Sequence, residues 1–296
     1  MKSIFLTGSN GFVGKNIFNS YKEIYKYTFY DRNTDIILNH DIVLHLAGLA
    51  HDTKNTISPD QFYFSNTIFT KNVYDKFIES NAKVFITLSS VKAVTDELNE
   101  ELFEDFIPKP ITHYGKSKLL AENYIFSKLI PEGKRVYVLR PCMIHGPGNK
   151  GNLNLLYGIV SKGLPWPLGS FVNSRSYLSI ENLCFIIKDL IDREDIPSGI
   201  YNVADDMPVS TNEIIEIIST LKGNKTRILY INKYIIIFFA FIGNFLKLPI
   251  NSERLKKLTS NYVVNNSKIK AALRKSLPVE SKEGLRRTFH SFAFNS

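Results

Sequence analysis

Hydrophobic and polar positions follow two rhythms through the first half of the chain. Mostly apolar runs at 2–7, 27–31, 41–46, 83–88 and 134–139 have the length of buried strands, and helical patterns at 12–21, 60–80 and 114–130 lie between them. Strands alternating with helices predict an α/β fold, a doubly wound parallel sheet with helices on both faces. The interval between the second and third strands is too short for the usual helix. Past Pro141 the rhythm breaks at two turn clusters, Gly146–Asn149 and Lys162–Gly169, which read as loops of a smaller second lobe.

The first strand runs into Gly8-Ser9-Asn10-Gly11-Phe12-Val13-Gly14, and a helix follows. Gly8 permits a tight turn, Gly11 lets backbone approach a pyrophosphate, and Gly14 lets helix pack on strand. The helix N-terminus offers free N–H groups and a positive dipole end to phosphate. Asp31 follows 23 residues after Gly8, at the end of the second apolar stretch, where a carboxylate would take the ribose hydroxyls of an adenosine. Residues 1–165 therefore read as a dinucleotide-binding Rossmann domain to which 177–205 returns. Residues 166–176 and 206–296 read as the substrate-binding lobe.

A second signal is independent of the first. Ser90 stands just past the strand that ends at Leu88, and Tyr114-Gly115-Lys116-Ser117-Lys118 opens a helix 24 residues later. Tyr114 and Lys118 are four apart and share a helix face. An ammonium beside a phenol is expected to lower the phenol's pKa towards neutrality, as proton transfer requires, while a serine hydroxyl holds the substrate oxygen.

In order along the chain, the glycine loop, His45-Leu46-Ala47-Gly48, Ser89-Ser90, Tyr114 with Lys118, and Leu139-Arg140-Pro141 resemble the extended short-chain dehydrogenase/reductases, NAD(P)-dependent epimerases, dehydratases and reductases of nucleotide sugars. The resemblance runs through essentially the whole chain. It implies catalysis by Ser90, Tyr114 and Lys118. It implies a cofactor site of Gly8, Asn10, Gly11, Phe12, Val13, Gly14, Asp31, Arg32, Leu46, Ala47, Gly48, Asn66 and Pro141, together with Tyr114 and Lys118. Thr34–Ile36 or Asn39–His40 would line the adenine pocket. Asn66 would hydrogen-bond near the nicotinamide, or else be a helix-surface amide. Ser90, Trp166, Arg175 and Arg254 would bind substrate, the two arginines gripping a diphosphate through the guanidinium fork unless they are surface charges. Asp31 suits NAD, whereas Arg32 and Lys15 suit the 2′-phosphate of NADP, so either cofactor fits.

The dehydratase pattern places an Asp-Glu pair directly after the serine. Val91-Lys92 stands there instead, and Asp96-Glu97 lies too far along, which argues against dehydration. Ser89–Lys92, and the tail from Glu253-Arg254-Leu255 through Glu283-Gly284-Leu285, look most like bacterial 4-reductases of UDP-4-keto-6-deoxy-N-acetylhexosamines in capsule and O-antigen synthesis. A UDP-sugar 4-epimerase with tightly held NAD is the alternative. A non-catalytic cofactor-binding relative is a third, against which Ser90, Tyr114 and Lys118 all stand.

Composition adds limits. The apolar content of 44% and charged content of 22% are those of a soluble globular protein. Two cysteines, Cys142 and Cys184, lie in apolar surroundings and fit a reduced cytoplasmic chain. The first strand begins within a few residues of Met1, so no signal peptide is expected. His45 and His51 have no ligand-spaced carboxylate or cysteine, so no metal is expected, and His45 reads as loop architecture beside the cofactor. The net charge of +9 suits anionic partners, but no nucleic-acid module appears.

Tyr234–Leu246 is apolar on all faces. It reads as a buried helix of the lobe or part of a subunit interface, with a helix lying on a membrane surface as the sharper alternative. A homodimer packed through 60–80 and 114–130 is a further expectation of the resemblance.

Overall fold

The computed structural model describes residues 1–49, 57–149, 151–223, 227–246 and 251–293. Six parallel strands form the central sheet: β1 (Ser3–Thr7), β2 (Lys26–Phe29), β3 (Ile42–His45), β4 (Val84–Leu88), β5 (Arg135–Pro141) and, after a two-stranded sheet of β6 (Met143–His145) and β7 (Tyr177–Ser179), β8 (Gly199–Val203). Their order is β2-β1-β3-β4-β5-β8. The direction of winding reverses between β1 and β3, and ligands of such sheets bind in the crevice at that point.

The helices are α1 (Phe12–Tyr21), α2 (Pro59–Phe62), α3 (Phe69–Glu79), α4 (His113–Ser127), α5 (Asn152–Val160), α6 (Ile180–Asp192), α7 (Thr211–Leu221), α8 (Lys233–Leu246), α9 (Ser252–Thr259), α10 (Ser267–Leu273) and α11 (Ser281–Ala293). The predicted 60–80 helix is α2 and α3 joined through a π-helical turn, Tyr63–Ile68. Strands β1, β3 and β4 are almost wholly buried, because helices cover both sides. Ile17 of α1, Leu183 and Ile187 of α6 and Ile269 of α10 fill one face, and Val73, Tyr74 and Phe77 of α3 with Ile125 of α4 fill the other. Residues 30–41 contain neither helix nor strand. The sheet thus lacks the third strand and its helix on the side where an adenosine would lie.

A separate apolar core unites α5, α7, α8, α9 and α11 in the second lobe. Two segments singled out in the sequence meet this core. Trp166 is 5% exposed and belongs to this core with Leu168 and Ile214, its backbone tied to Arg227 and Leu229. The apolar stretch 234–246 is not a fully buried helix: among its described side chains the stripe of Ile236, Ala240 and Gly243 is buried, while Phe238 and Phe239 are 59% and 61% exposed.

Candidate active site

The glycine loop is shaped by close approach. Gly8 has φ +75°, and a Cβ there would lie 2.6 Å from the backbone of Leu46 and Ala47. A Cβ on Gly14 would lie 2.3 Å from the Gly8 carbonyl, so α1 can start this close to β1 only with glycine. Gly11 is the N-cap of α1, with no side-chain cap and no acid in the first turn. The first-turn N–H groups, those of Phe12 and Val13 among them, are therefore left for an anion. The residues present fit a dinucleotide pyrophosphate. Asn10 is exposed beside this turn.

The loop after β3 forms the opposite wall. His45 is fully buried, with Nδ1 2.8 Å from Thr7 Oγ1 and Nε2 2.9 Å from Thr70 Oγ1. Burial, with Lys118 nearby, pulls its pKa down to about 3, so it is a neutral brace between β1, β3 and α3. The Ala47 N–H donates to Thr7 Oγ1 at 3.1 Å, which fixes Leu46-Ala47-Gly48 against the glycine loop. His51 lies outside the described residues. Asn66, in the π-helical turn, is buried and not a surface amide. Its Oδ1 accepts from the Leu49 N–H at 2.9 Å, and its Nδ2 donates to the Leu49 carbonyl and to Ser117 Oγ, each at 3.1 Å. A Cβ on Gly48 would lie 2.7 Å from Asn66 Oδ1 and 3.0 Å from Lys118 Nζ, so Gly48, Asn66 and Lys118 meet at one place.

Ser90 caps a single 3-10 turn, Val91–Ala93, its Oγ accepting from the Lys92 N–H at 3.2 Å. Helix α4 packs down on that turn: a Cβ on Gly115 would lie 2.2 Å from the Lys92 carbonyl. Asp96 holds the start of α4, accepting from the N–H groups of Ile111 (2.8 Å) and Thr112 (3.1 Å). The carboxylate set aside as a dehydratase acid is therefore an anchor for the helix that carries Tyr114. These contacts bring Ser90 into hydrogen-bonding contact with the Tyr114 phenol.

The electrostatics differ from expectation. Burial raises the Tyr114 pKa, and the Ser90 hydrogen bond is what opposes it. Lys118 instead donates to the Leu88 carbonyl at 2.9 Å, and burial lowers its ammonium to about 8. The helical spacing puts both groups on one face, and the hydrogen bond of Lys118 runs to the end of β4.

Three features escaped the sequence. Glu122 of α4 and Arg140 of β5 form a buried ion pair, with Nη2 2.6 Å and Nε 3.0 Å from the carboxylate, and Ser89 Oγ donates to the same carboxylate. This brace ties α4 to the strand end that presents Ser90. Lys92 donates to the Asp96 carbonyl at 2.7 Å and lies 4.3 Å over the Tyr262 ring, its pKa lowered to about 8 mainly by burial. Tyr262 joins the lobe to the domain, donating to the Thr95 carbonyl at 2.7 Å while its backbone pairs with Ser174 and Ser176. The Ser89–Lys92 and Arg140 motifs left traces in the chain, but most of these contacts join residues far apart in sequence.

Among the cofactor residues, Pro141 is buried at the end of β5. Asp31 and Arg32 are exposed beyond β2, with the Asp31 carboxylate accepting from the Asn33 N–H at 3.0 Å. Arg175 lies at the junction of the lobes, Nη1 donating to the Lys257 carbonyl at 2.7 Å. Arg254 is exposed in the first turn of α9. Both cysteines are buried, their thiols pushed up, that of Cys184 to about 12. Among the described residues no cluster of His, Cys, Asp and Glu could hold a metal.

Residues 4–204 match the NAD dependent epimerase/dehydratase family. The chain is 30% identical to UDP-glucose 4-epimerase of Vibrio cholerae, over 98% of this chain and 95% of the relative. It is 25% identical to GDP-6-deoxy-D-mannose reductase of Pseudomonas aeruginosa, over 61% of this chain and 63% of the relative. The structure of RMD from Pseudomonas aeruginosa, complexed with NADPH, superposes with a TM-score of 0.76 at 20% identity, covering all of both chains. The chain belongs to the NAD dependent epimerase/dehydratase family, a Rossmann-like class of NAD-dependent nucleotide-sugar epimerases and reductases.

Proposed function

We propose that the protein is a cytoplasmic reductase that converts the 4-keto group of a UDP-4-keto-6-deoxy-N-acetylhexosamine to an alcohol for surface polysaccharide synthesis. The observation that carries this reading is the bare adenosine side of the cofactor groove. Residues 30–41 are irregular, with Asp31, Arg32, Asn33 and Thr34 exposed and neither strand nor helix among them. A reductase must release oxidised cofactor in every cycle, and a thinly walled adenosine site suits exchange. An epimerase keeps its cofactor and gains from a closed wall.

When bound, the reduced nicotinamide supplies the hydride to carbon 4. The Tyr114 phenol supplies the proton to the keto oxygen, and its raised pKa keeps it in the acid form that reduction needs. Ser90 holds that oxygen, and Lys118, next to Gly48 and Asn66, binds the cofactor ribose. Asp31 suits NADH and Arg32 NADPH, so both are cofactor candidates. Arg175 and Arg254 grip the UDP diphosphate. Exposed Phe64, Ile68, Leu120 and Phe126 on the α2–α3 and α4 helices support a homodimer through that face.

The second reading, a UDP-sugar 4-epimerase, is favoured by the full-length similarity to the Vibrio cholerae enzyme. Denaturing the purified protein and quantifying released nicotinamide, beside titration with NADPH and NADH, separates the two. Little retained cofactor and reversible binding of a reduced one, followed by turnover of the 4-keto sugar, is expected. Stoichiometric NAD carried through purification establishes the epimerase instead.

A further inference from the structure

Helix α8 is apolar yet mostly outside the core. Ile236, Ala240 and Gly243, spaced four and three apart, form the stripe that rests on the lobe. Tyr234, Ile235, Ile237, Phe238, Phe239 and Phe241 are exposed around the remaining surface. Leu229 and Tyr230, just before the helix, extend the same patch. Single exposed apolar residues are ordinary, but a run of six large ones on one short helix marks a surface that meets something apolar.

The charge of the chain is gathered around this helix. Residues 221–259 hold eight Lys and Arg against one acidic residue, Glu253. The other 257 residues carry the remaining 29 basic and 27 acidic side chains and are close to neutral. Lys233 begins α8, with Nζ 5.3 Å over the Tyr234 ring, and Arg227 is exposed before it. Helix α9, packed on α8, adds exposed Arg254, Lys256 and Lys257, the last two paired at 2.5 Å with Glu97 and Glu253.

We propose that α8 docks the protein on an anionic bilayer surface, its aromatic face at the level of the lipid headgroups and its basic flanks on the phosphates. An apolar face within a basic surround fits such a surface, where burial of apolar area and attraction to anionic lipid add. The helix cannot span: 14 residues measure about 21 Å, against a hydrocarbon core of about 30 Å. No described helix is long and apolar enough to cross a membrane. A second copy of the chain is the poorer occupant. A two-fold interface sets the same patch against itself, and here that would bring two basic surfaces together. The position of α8 on the substrate lobe leaves the glycine loop and the Ser90–Tyr114 pair to the other domain.

The test is co-sedimentation of the full chain with vesicles of equal parts phosphatidylcholine and phosphatidylglycerol, against vesicles of pure phosphatidylcholine, with light scattering of the protein alone. The wild type is expected to bind the mixed vesicles, to bind pure phosphatidylcholine far less, and to be released by salt. Phe238→Ser with Phe239→Ser should weaken partitioning by about tenfold or more while turnover of soluble substrate stays at the wild-type level. Phe64→Ser with Phe126→Ser, on the other face, should leave partitioning unchanged. Equal binding by the α8 double variant, or no binding by the wild type, overturns the proposal. So does a wild-type oligomer that the α8 variant reduces in size, which would assign the patch to a second copy.

Discussion

The cofactor domain and the substrate lobe are stabilised in different ways. The domain sets its site with buried polar braces: His45 between Thr7 and Thr70, Asn66 between Leu49 and Ser117, and Glu122 between Ser89 and Arg140. Each joins separate elements through groups that have left water, so each is costly to break and leaves little freedom. The lobe relies mainly on one apolar core, adding the buried brace of Asn173 with Thr211 and the Leu258 carbonyl and half-exposed ion pairs such as Arg287 with Glu283, and it leaves α8 largely uncovered. On the reading proposed above, proton and hydride transfer would need that fixed geometry, whereas holding a sugar or touching a lipid surface would not.

The largest effect is expected at Tyr114. Tyr114→Phe should lower turnover by about 10²–10⁴-fold with cofactor affinity nearly unchanged, measured by steady-state kinetics beside cofactor titration. Full activity would remove Tyr114 as the acid. The braces are sharpened by paired stability measurements. Arg140→Met leaves the Glu122 carboxylate buried and uncompensated and should cost about 3–5 kcal/mol in denaturant unfolding. Arg287→Ala in the lobe should cost no more than about 1 kcal/mol, because its pairs are half exposed. Equal losses would erase the contrast between the two regions.

Arg175→Ala should weaken binding of the UDP-sugar by about tenfold, the loss of a charge-assisted hydrogen bond or two, and leave cofactor affinity alone. An unchanged substrate Kd in calorimetry would confine Arg175 to its contacts with α9.

The burial of Lys118 is tested by a pH dependence of stability. The Lys118 ammonium titrates near 8 when folded and near 10.5 when unfolded. Between those values the unfolded chain binds the extra proton, so stability rises with pH across that window. Below pH 8 both forms are charged and the penalty of burial is present in full. Lys118→Met should flatten the rise in unfolding midpoint between pH 8 and 10, with Lys92, also lowered to about 8, supplying what remains. A slope identical to wild type would place the Lys118 ammonium in contact with water.

Much of the site was legible in the chain because it is local. Gly8, Gly11 and Gly14 act on neighbouring backbone, and Ser90 and Tyr114 each sit at the end of an element whose type the apolar pattern reveals. The structural roles of Asp96 and Gly115 were not legible. Their contacts, with the start of α4 and with the Lys92 carbonyl, exist only once two segments meet. The turn cluster Lys162–Gly169 reads as a loop, yet Trp166 within it pairs with Ile228 and packs into the lobe core.

The sequence by itself determined the alternation of strands and helices, the glycine turn at the start of α1, and the missing helix after the second strand, and it picked out Ser90, Tyr114 and Lys118 as candidates. These follow from periodicity and from spacings of a few residues. Only the tertiary structure decided that Lys118 bonds the Leu88 carbonyl, that Ser90 meets the Tyr114 phenol, that Glu122 and Arg140 share a buried bond, and that much of the apolar surface of α8 is left exposed. Burial governs each of those outcomes, and burial is a property of what packs against a residue rather than of its neighbours in the chain.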